Sequence, residues 1–432
     1  MSTLTNAQPG VGRFRMTPRQ RALWPVIIVA AFFEGFDDAL INIALPYIAH
    51  DFHMTDQVAG YVLSFVAAGT LLAFFASRLA DGLGRRRVFL RCVYLYSACS
   101  LATAFAFSLP LFIGLQFLAR IFLIGCWSTG YVIVCEEFAT SNRGTAVGRF
   151  QMTAVLGGLL IGILLPVVMH LGLGWRALYV VGALPLIPTI LLRGRLPETG
   201  KFQQLMETRG KASQESFFAV WKRPHTKFLI VMSVVWFFMY FGIKGSLNFF
   251  SLRAVNELDW TANMVSVAVL TSTVAGIFII VMNGKLLDRL GRKRAAALII
   301  LVGSVFGVLT FMVSGTVLVL AFNMISVGCL NSFLIVGSTL TNELFPTSLR
   351  SNAMAWANNI AGRIGQVLVP VFITTSALWM SLGHAIALAL ALPLISLVMI
   401  MAFLPETSRL AIDDEPDLAE PEPAAVTQYE RN

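Results

Sequence analysis

The sequence predicts an all-α membrane protein with twelve transmembrane helices in two pseudo-symmetric six-helix bundles, and three observations carry that prediction. Of the 432 residues 57% are hydrophobic and 13% charged, roughly half the charged share of soluble domains. At ~20 residues per crossing, the apolar residues suffice for about twelve spans. Lys and Arg gather in alternate loops, and the chain repeats itself at a shift of 207 residues. Such a composition excludes a soluble enzyme, a disordered chain, a coiled coil and a nucleic-acid-binding module.

Taken in order, hydropathy places spans at about 24–50, 59–77, 89–108, 110–134, 148–170 and 176–193, then 228–250, 263–283, 295–314, 316–340, 353–378 and 384–404. The first follows Arg13, Arg15, Arg19 and Arg21. No cleavable signal is expected there, because the apolar stretch is too long for one and lacks a small-residue cleavage pattern. Most remaining Lys and Arg fall in 78–91, 142–149, the long 193–227 connection and 285–294, whereas the other loops hold only Arg176 and Arg253. By the positive-inside rule both termini are cytoplasmic, so the net charge of +9 marks topology rather than an acidic partner such as nucleic acid. The five cysteines fall within or beside spans without a CxxC pair, so they read as packing residues, and no metal site is expected. His50 and His53 alone are too few ligands to make one.

The repeat fixes the halves. Gly35, Asp81, Gly84, Arg85, Arg87, Glu136 and Arg143 recur as Gly242, Asp288, Gly291, Arg292, Arg294, Glu343 and Arg350, and Pro197-Glu198-Thr199 recurs as Pro405-Glu406-Thr407 at a shift of 208. Six spans per half in the same orientation describe parallel bundles that rock about a shared cavity. The expected divisions are a cytoplasmic segment 1–22, bundles 23–193 and 228–404, a charged linker 194–227 with a short surface helix, and an acidic tail 405–432. That tail is acidic and proline-containing, which suits disorder.

The segments Asp81-Gly-Leu-Gly84-Arg-Arg-Arg87 and Gly284-Lys-Leu-Leu-Asp288-Arg-Leu-Gly291-Arg-Lys-Arg294 resemble the two copies of the cytoplasmic signature of the major facilitator superfamily. In the first copy Ser77 replaces the leading glycine and Gly82 the usual arginine. Glycine permits the tight turn, while Asp81, Arg85, Asp288 and Arg292 can make charge-assisted hydrogen bonds across the bundle. Glu136 with Arg143, and Glu343 with Arg350, are the expected partners in a gate that holds the cytoplasmic side closed.

Ionisable residues at mid-membrane cost about 2.5 to 3.5 kcal/mol on insertion scales, so each needs a cavity, a partner or a proton. Six stand out: Glu34, Asp37, Asp38, Arg120, Lys244 and Arg363. The three carboxylates share one helical face, which Asn42 extends by a turn, and they repel one another. One of them is therefore expected to carry a proton part of the time, unless Arg120 or another cation holds it in a permanent pair.

Gly35-Phe36-Asp37 with Leu45-Pro46-Tyr47 resembles the first span of the sugar:proton and aromatic-acid:proton symporters, and Glu34 matches an acidic position of the second group. The resemblance implies that Asp37 takes up the proton and that Arg120 pairs with it. Ile124 stands where the family has its first glycine after that arginine.

Lys244 is the repeat partner of Asp37, with Asn248 one turn later, so it either pairs with a first-span carboxylate or awaits an anionic substrate. Asn359, Arg363 and Gln366 are spaced i, i+4, i+7 on one face, and Gly362-Arg363-Ile364-Gly365 looks like the eleventh span of metabolite symporters. An arginine fork suits a carboxylate; a tie to backbone carbonyls is the structural alternative. Trp127, Tyr131, Trp236 and Tyr240 are either cavity walls or lipid-facing anchors. Phe238, Met239 and Lys244 stand where sugar porters carry hydroxyl-binding amides, which argues against a neutral sugar.

The expectation is therefore a monomeric, proton-coupled importer of a small organic anion in a bacterial inner membrane, with the proton gradient as energy source and no cofactor. Asp37 and Arg120 are assigned to proton coupling, and Glu34, Asp38, Lys244, Asn248, Asn359 and Arg363 to the substrate. An exporter of organic cations, a sugar symporter and a non-transporting sensor are the alternatives. No nucleophile–base constellation suggests an enzyme.

Overall fold

The computed structural model describes residues 16–138, 140–192, 217–222, 224–346 and 349–407, of which the side chains of 74–82, 140–144, 192 and 288 are not among those described. The first half holds α1 (Pro18–Ile43), α2 (Leu45–Asp51), α3 (Asp56–Leu83), α4 (Arg85–Ala104), α5 (Leu109–Glu137), α6 (Thr140–His170), α7 (Arg176–Gly182) and α8 (Leu186–Leu192). After a 3-10 turn at Ala219–Trp221 come α9 (Thr226–Asn256), α10 (Ala262–Leu290), α11 (Arg292–Met312), α12 (Thr316–Leu344), α13 (Arg350–Met354), a π-helical stretch (Ala355–Gly362), α14 (Arg363–Ser376), α15 (Leu382–Ala391) and α16 (Pro393–Phe403). With α1–α2, α7–α8, α13–α14 and α15–α16 each counted as one crossing, these are the twelve expected spans.

The interruptions have local causes. Proline lacks the amide hydrogen and crowds the preceding turn, and Pro46, Pro185 and Pro393 stand at or beside the α1–α2, α7–α8 and α15–α16 breaks. Among the described residues eight helices are long and apolar enough to cross a membrane. The remaining four crossings are α1 and α4, which carry charges, and the broken α7–α8 and α13–α14.

Hydropathy placed loops at 78–91 and 285–294, and the structure corrects this. Helices α3 and α10 run on to Leu83 and Leu290, and a single glycine separates each from the next helix. Gly84 (φ +101°) and Gly291 (φ +82°) adopt backbone angles that only glycine takes readily. Hydropathy sees where the apolar slab ends, whereas backbone hydrogen bonding continues beyond it. These basic turns define one face of the molecule, called here the basic face.

Within the first half α1 crosses α6 at van der Waals distance. A Cβ on Gly35 would lie 1.9 Å from the carbonyl oxygen of Ala154, and one on Gly157 would lie 1.7 Å from that of Phe32. Small residues bring backbones close in this way without help from a hydrophobic driving force. At its start α1 has a capping box, with Thr17 and Gln20 bonded reciprocally, and Gln20 Nε2 donates to the Glu137 carbonyl at 2.6 Å, tying α1 to the end of α5.

Among the described residues, hydrogen bonds join the two halves between mid-depth and the face opposite the basic one. Ser64 Oγ donates to the Val367 carbonyl, Ser251 Oγ to the Asn42 carbonyl, and Asn256 Nδ2 to Asp56 Oδ1 at 2.8 Å. Gly60 packs at Thr374 and Phe249 along the same seam. The two arginines of the opposite face are consumed locally. Arg176 bonds Asp51 and the Ala106 carbonyl, and Arg253 donates to the carbonyls of Thr310 and Val313 at 3.1 and 3.0 Å.

Candidate functional site

The first-span carboxylates do not act as one cluster; each has its own surroundings. Asp38 is the centre of a triad that joins the halves. Its Oδ1 accepts from Arg120 Nη1 of α5, and its Oδ2 accepts from Lys244 Nζ of α9 at 3.1 Å. Asn42 donates to the Asp38 carbonyl one turn on, and Asn248 and Gln366 line the same cavity with Leu63 and Val66. Arg120 therefore pairs with Asp38 and not with Asp37, which corrects the pairing the resemblance implied. The reason is angular. Successive residues on a helix point about 100° apart, and it is Asp38 that faces the seam where Arg120 and Lys244 converge.

Asp37 instead points into the first half. Ser100 Oγ donates to its Oδ1 at 3.3 Å, and a Cβ on Gly182 would fall 2.4 Å from that oxygen, so the absence of a side chain at 182 is what makes room for the carboxyl. A small cavity beside it is lined by Tyr96, Gln116, Arg120 and Tyr179. The buried hydroxyls of Tyr96 and Tyr179 have no hydrogen-bond partner among the described residues. Arg120 thus borders both cavities, one at Asp37 and one at Asp38. Ser100, Tyr96, Tyr179 and Gly182 carry no signal in the chain that marks them for this site. Gln116 had one: it lies four residues before Arg120, on the same face of α5.

Glu34 is buried, with 8% of its surface exposed. It makes no hydrogen bond or ion pair among the described residues, although Asp38, Arg120, Lys244 and Arg363 all act on it electrostatically. Arg363 Nη1 donates to Gln366 Oε1 at 2.7 Å, and its guanidinium lies 5.7 Å from the Tyr240 ring centre. The Tyr240 hydroxyl donates to Asn358 Oδ1 at 3.1 Å, while the neighbouring Asn359 is exposed. Asn358 rather than Asn359 therefore faces α9. The i, i+4 spacing misled because residues 355–362 are π-helical, a wider turn with i→i+5 bonding. Trp236 and Tyr240 are core residues rather than lipid-facing anchors, and Trp236 donates to Thr341.

At the basic face the repeat is reproduced in three dimensions. Arg85 Nε lies 3.1 Å from Glu136 Oε1, and Arg292 Nε lies 3.1 Å from Glu343 Oε1. Each pair stays inside its own half, between α4 and α5 or between α11 and α12. The Glu406 carboxylate accepts from the backbone N–H groups of Arg292 and Lys293 at 2.8 and 3.2 Å, and Thr407 donates to Glu343 Oε2 at 2.5 Å. The second Pro-Glu-Thr copy is thus a cap on α11, where a carboxylate also suits the positive end of the helix dipole. Arg350 Nε donates to the Phe345 carbonyl at 3.1 Å, not to Glu343 as the sequence suggested. The side chains of Asp81, Arg143 and Asp288, and the first Pro-Glu-Thr copy, lie outside the described residues.

The family model described as Major Facilitator Superfamily matches residues 27–370 and 245–426. The chain belongs to the major facilitator superfamily. As a member of that superfamily it is a multi-pass membrane transporter of small solutes and not an enzyme. It is 25% identical to the niacin transporter NiaP of Acinetobacter baylyi, over 92% of this chain and 95% of that one. It is 24% identical to the cis,cis-muconate transport protein of the same organism, over 83% of this chain and 89% of the other. Among solved structures the inward-open xylose transporter XylE from E. coli superposes with a TM-score of 0.73 at 15% identity, covering 91% of this chain and 98% of that one. At that identity the superposition speaks for the fold alone.

Proposed function

We propose that this major facilitator protein carries out proton-coupled uptake of a small organic anion bearing a carboxylate. The observation that carries the reading is the convergence of Arg120 and Lys244, one cation from each half, on a single acceptor at the seam. Two cations against one carboxylate make a place for a second anion. Arginine and lysine donors suit a carboxylate oxygen, and the apolar wall of Leu63 and Val66 suits a compact apolar body. The similar proteins that carry niacin and cis,cis-muconate support this class of cargo.

Asp38 is committed to its two cations, which leaves Asp37 and Glu34 as the carboxyls able to take up and release a proton. Asp37 is assigned that role because, among the described residues, the donor it meets is the Ser100 hydroxyl, and because it borders Arg120 on the side away from the seam. The basic face is cytoplasmic by the positive-inside rule, so both termini are inside. The seam closed on the opposite face then supports a cavity reached from the cytoplasm. Residues 23–193 and 228–404 rock as units about the linker 194–227, and protomers act singly.

The test is uptake of nicotinate, benzoate and cis,cis-muconate into proteoliposomes carrying an internal pH dye. Uptake is expected to acidify the lumen, and Asp37→Asn is expected to retain exchange while losing accumulation against a gradient. Uptake at the same rate without a proton gradient, and with no acidification, overturns the proposal. Export of organic cations is the rival reading, with Glu34, Asp37 and Asp38 as the cation site and Lys244 as its counter-ion; tighter cation binding on charge reversal at Lys244 would favour it.

A further inference from the structure

Lys244 is the cation that a substrate carboxylate needs, and in this structure it is already taken. Its Nζ lies 3.1 Å from Asp38 Oδ2. Three features distinguish the pair from an ordinary structural ion pair. It crosses the seam, so it holds only while the halves are in register here. The Asp38 side chain is 31% exposed, against 8% for Arg120 and 13% for Lys244, so the carboxylate is the member of the triad that solvent, or a ligand, meets first. And the charges do not balance: two cations share one anion, with neutral Asn42, Asn248 and Gln366 completing the polar wall.

We propose that Asp38 is a resident substitute for the substrate's own carboxylate. In the empty carrier it occupies Lys244, and a small monocarboxylate binds by taking Lys244 from it, leaving Asp38 with Arg120 alone. This rests on the carboxylate reading above and adds the residue that makes it selective. After the exchange, Arg120 and Lys244 each face a carboxylate of their own. A neutral amide analogue offers Lys244 no anion, and an organic cation adds to the excess. Selectivity therefore comes from what wrong ligands leave unpaired. The exchange also removes a bond between the halves only when the right ligand is present, which is the differential interaction that a ligand-driven change of state requires.

The experiment uses the purified full-length protein and measures binding of nicotinate, benzoate and cis,cis-muconate against nicotinamide and benzamide. Without its resident competitor, Asp38→Asn is expected to bind whichever acid the native protein binds about tenfold more tightly or better, with amide binding unchanged. A second comparison covers the case in which Asp38→Asn does not fold. Arg120→Gln retains the Asp38–Lys244 pair, and Asp38→Asn with Arg120→Gln removes one charge of each sign. The double variant is expected to show the same gain in acid over amide relative to Arg120→Gln alone. Acid binding that is unchanged or weaker without Asp38 overturns the exchange while leaving the carboxylate reading intact. Failure of every acid to bind the native protein and the variants overturns both.

Discussion

A carboxyl at 37 and a carboxyl at 38 differ by one position and by nearly everything around them. Asp38 faces two cations at the seam, while Asp37 rests against the bare backbone of Gly182 and the hydroxyl of Ser100. Gly182 is therefore a residue whose role lies in what it leaves empty. Gly182→Ala would place a methyl 2.4 Å from Asp37 Oδ1 and 2.8 Å from Ser100 Oγ, displacing the carboxyl without straining the backbone. It is expected to express and fold normally, to retain counterflow, and to lose accumulation, as Asp37→Asn does; accumulation at the native level would refute the placement. The sequence made part of this site legible. The shift of 207 singled out Lys244, and the cost of buried charge singled out Arg120 and the carboxylates. It could not say which carboxylate faced the seam, because that depends on the rotation of α1 about its axis, which is set by packing against α6.

At the scale of elements, the sequence was most informative where glycine dictates a turn and least where a helix breaks or its hydrogen bonding departs from the ordinary one. Gly84 and Gly291 mark real turns, whereas the breaks at Pro46 and Pro393 fall inside stretches expected to be continuous spans, and Pro25, Pro166 and Pro370 stand within unbroken helices. The π-helical stretch of 355–362 carries no comparable sign, and it moved the polar contact from Asn359 to Asn358. The close approach of α1 to α6 depends on Gly35 and Gly157. Gly157→Ala is expected to force the helices apart at a cost of at least about 1 to 3 kcal/mol, because the added methyl meets the backbone oxygen of Phe32 rather than a movable side chain. Thermal unfolding in detergent would show this as a lowered midpoint, and an unchanged midpoint would mean that α1 and α6 are not held at this distance.

For the molecule as a whole, the ion pairs of the basic face and the hydrogen bonds of the seam divide the work. Arg85–Glu136 and Arg292–Glu343 tie helices within each half, while among the described residues the hydrogen bonds between halves named above lie from mid-depth to the opposite face. Opening of the opposite face must then break the bonds of the seam. Joining Asp56→Cys to Asn256→Cys with a short cleavable thiol linker, at the position of the 2.8 Å hydrogen bond between the native residues, is expected to stop transport until the linker is cleaved. Transport that continues with the linker in place would show that this face need not open. The seam also has an uneven relation to mutation. At Ser64–Val367 and Ser251–Asn42 the acceptor is a backbone carbonyl, which every residue type supplies. A substitution scan read by transport should therefore register these two ties through Ser64→Ala and Ser251→Ala and pass over Val367 as silent. One side of the contact is free to drift in sequence while the other keeps the memory of it.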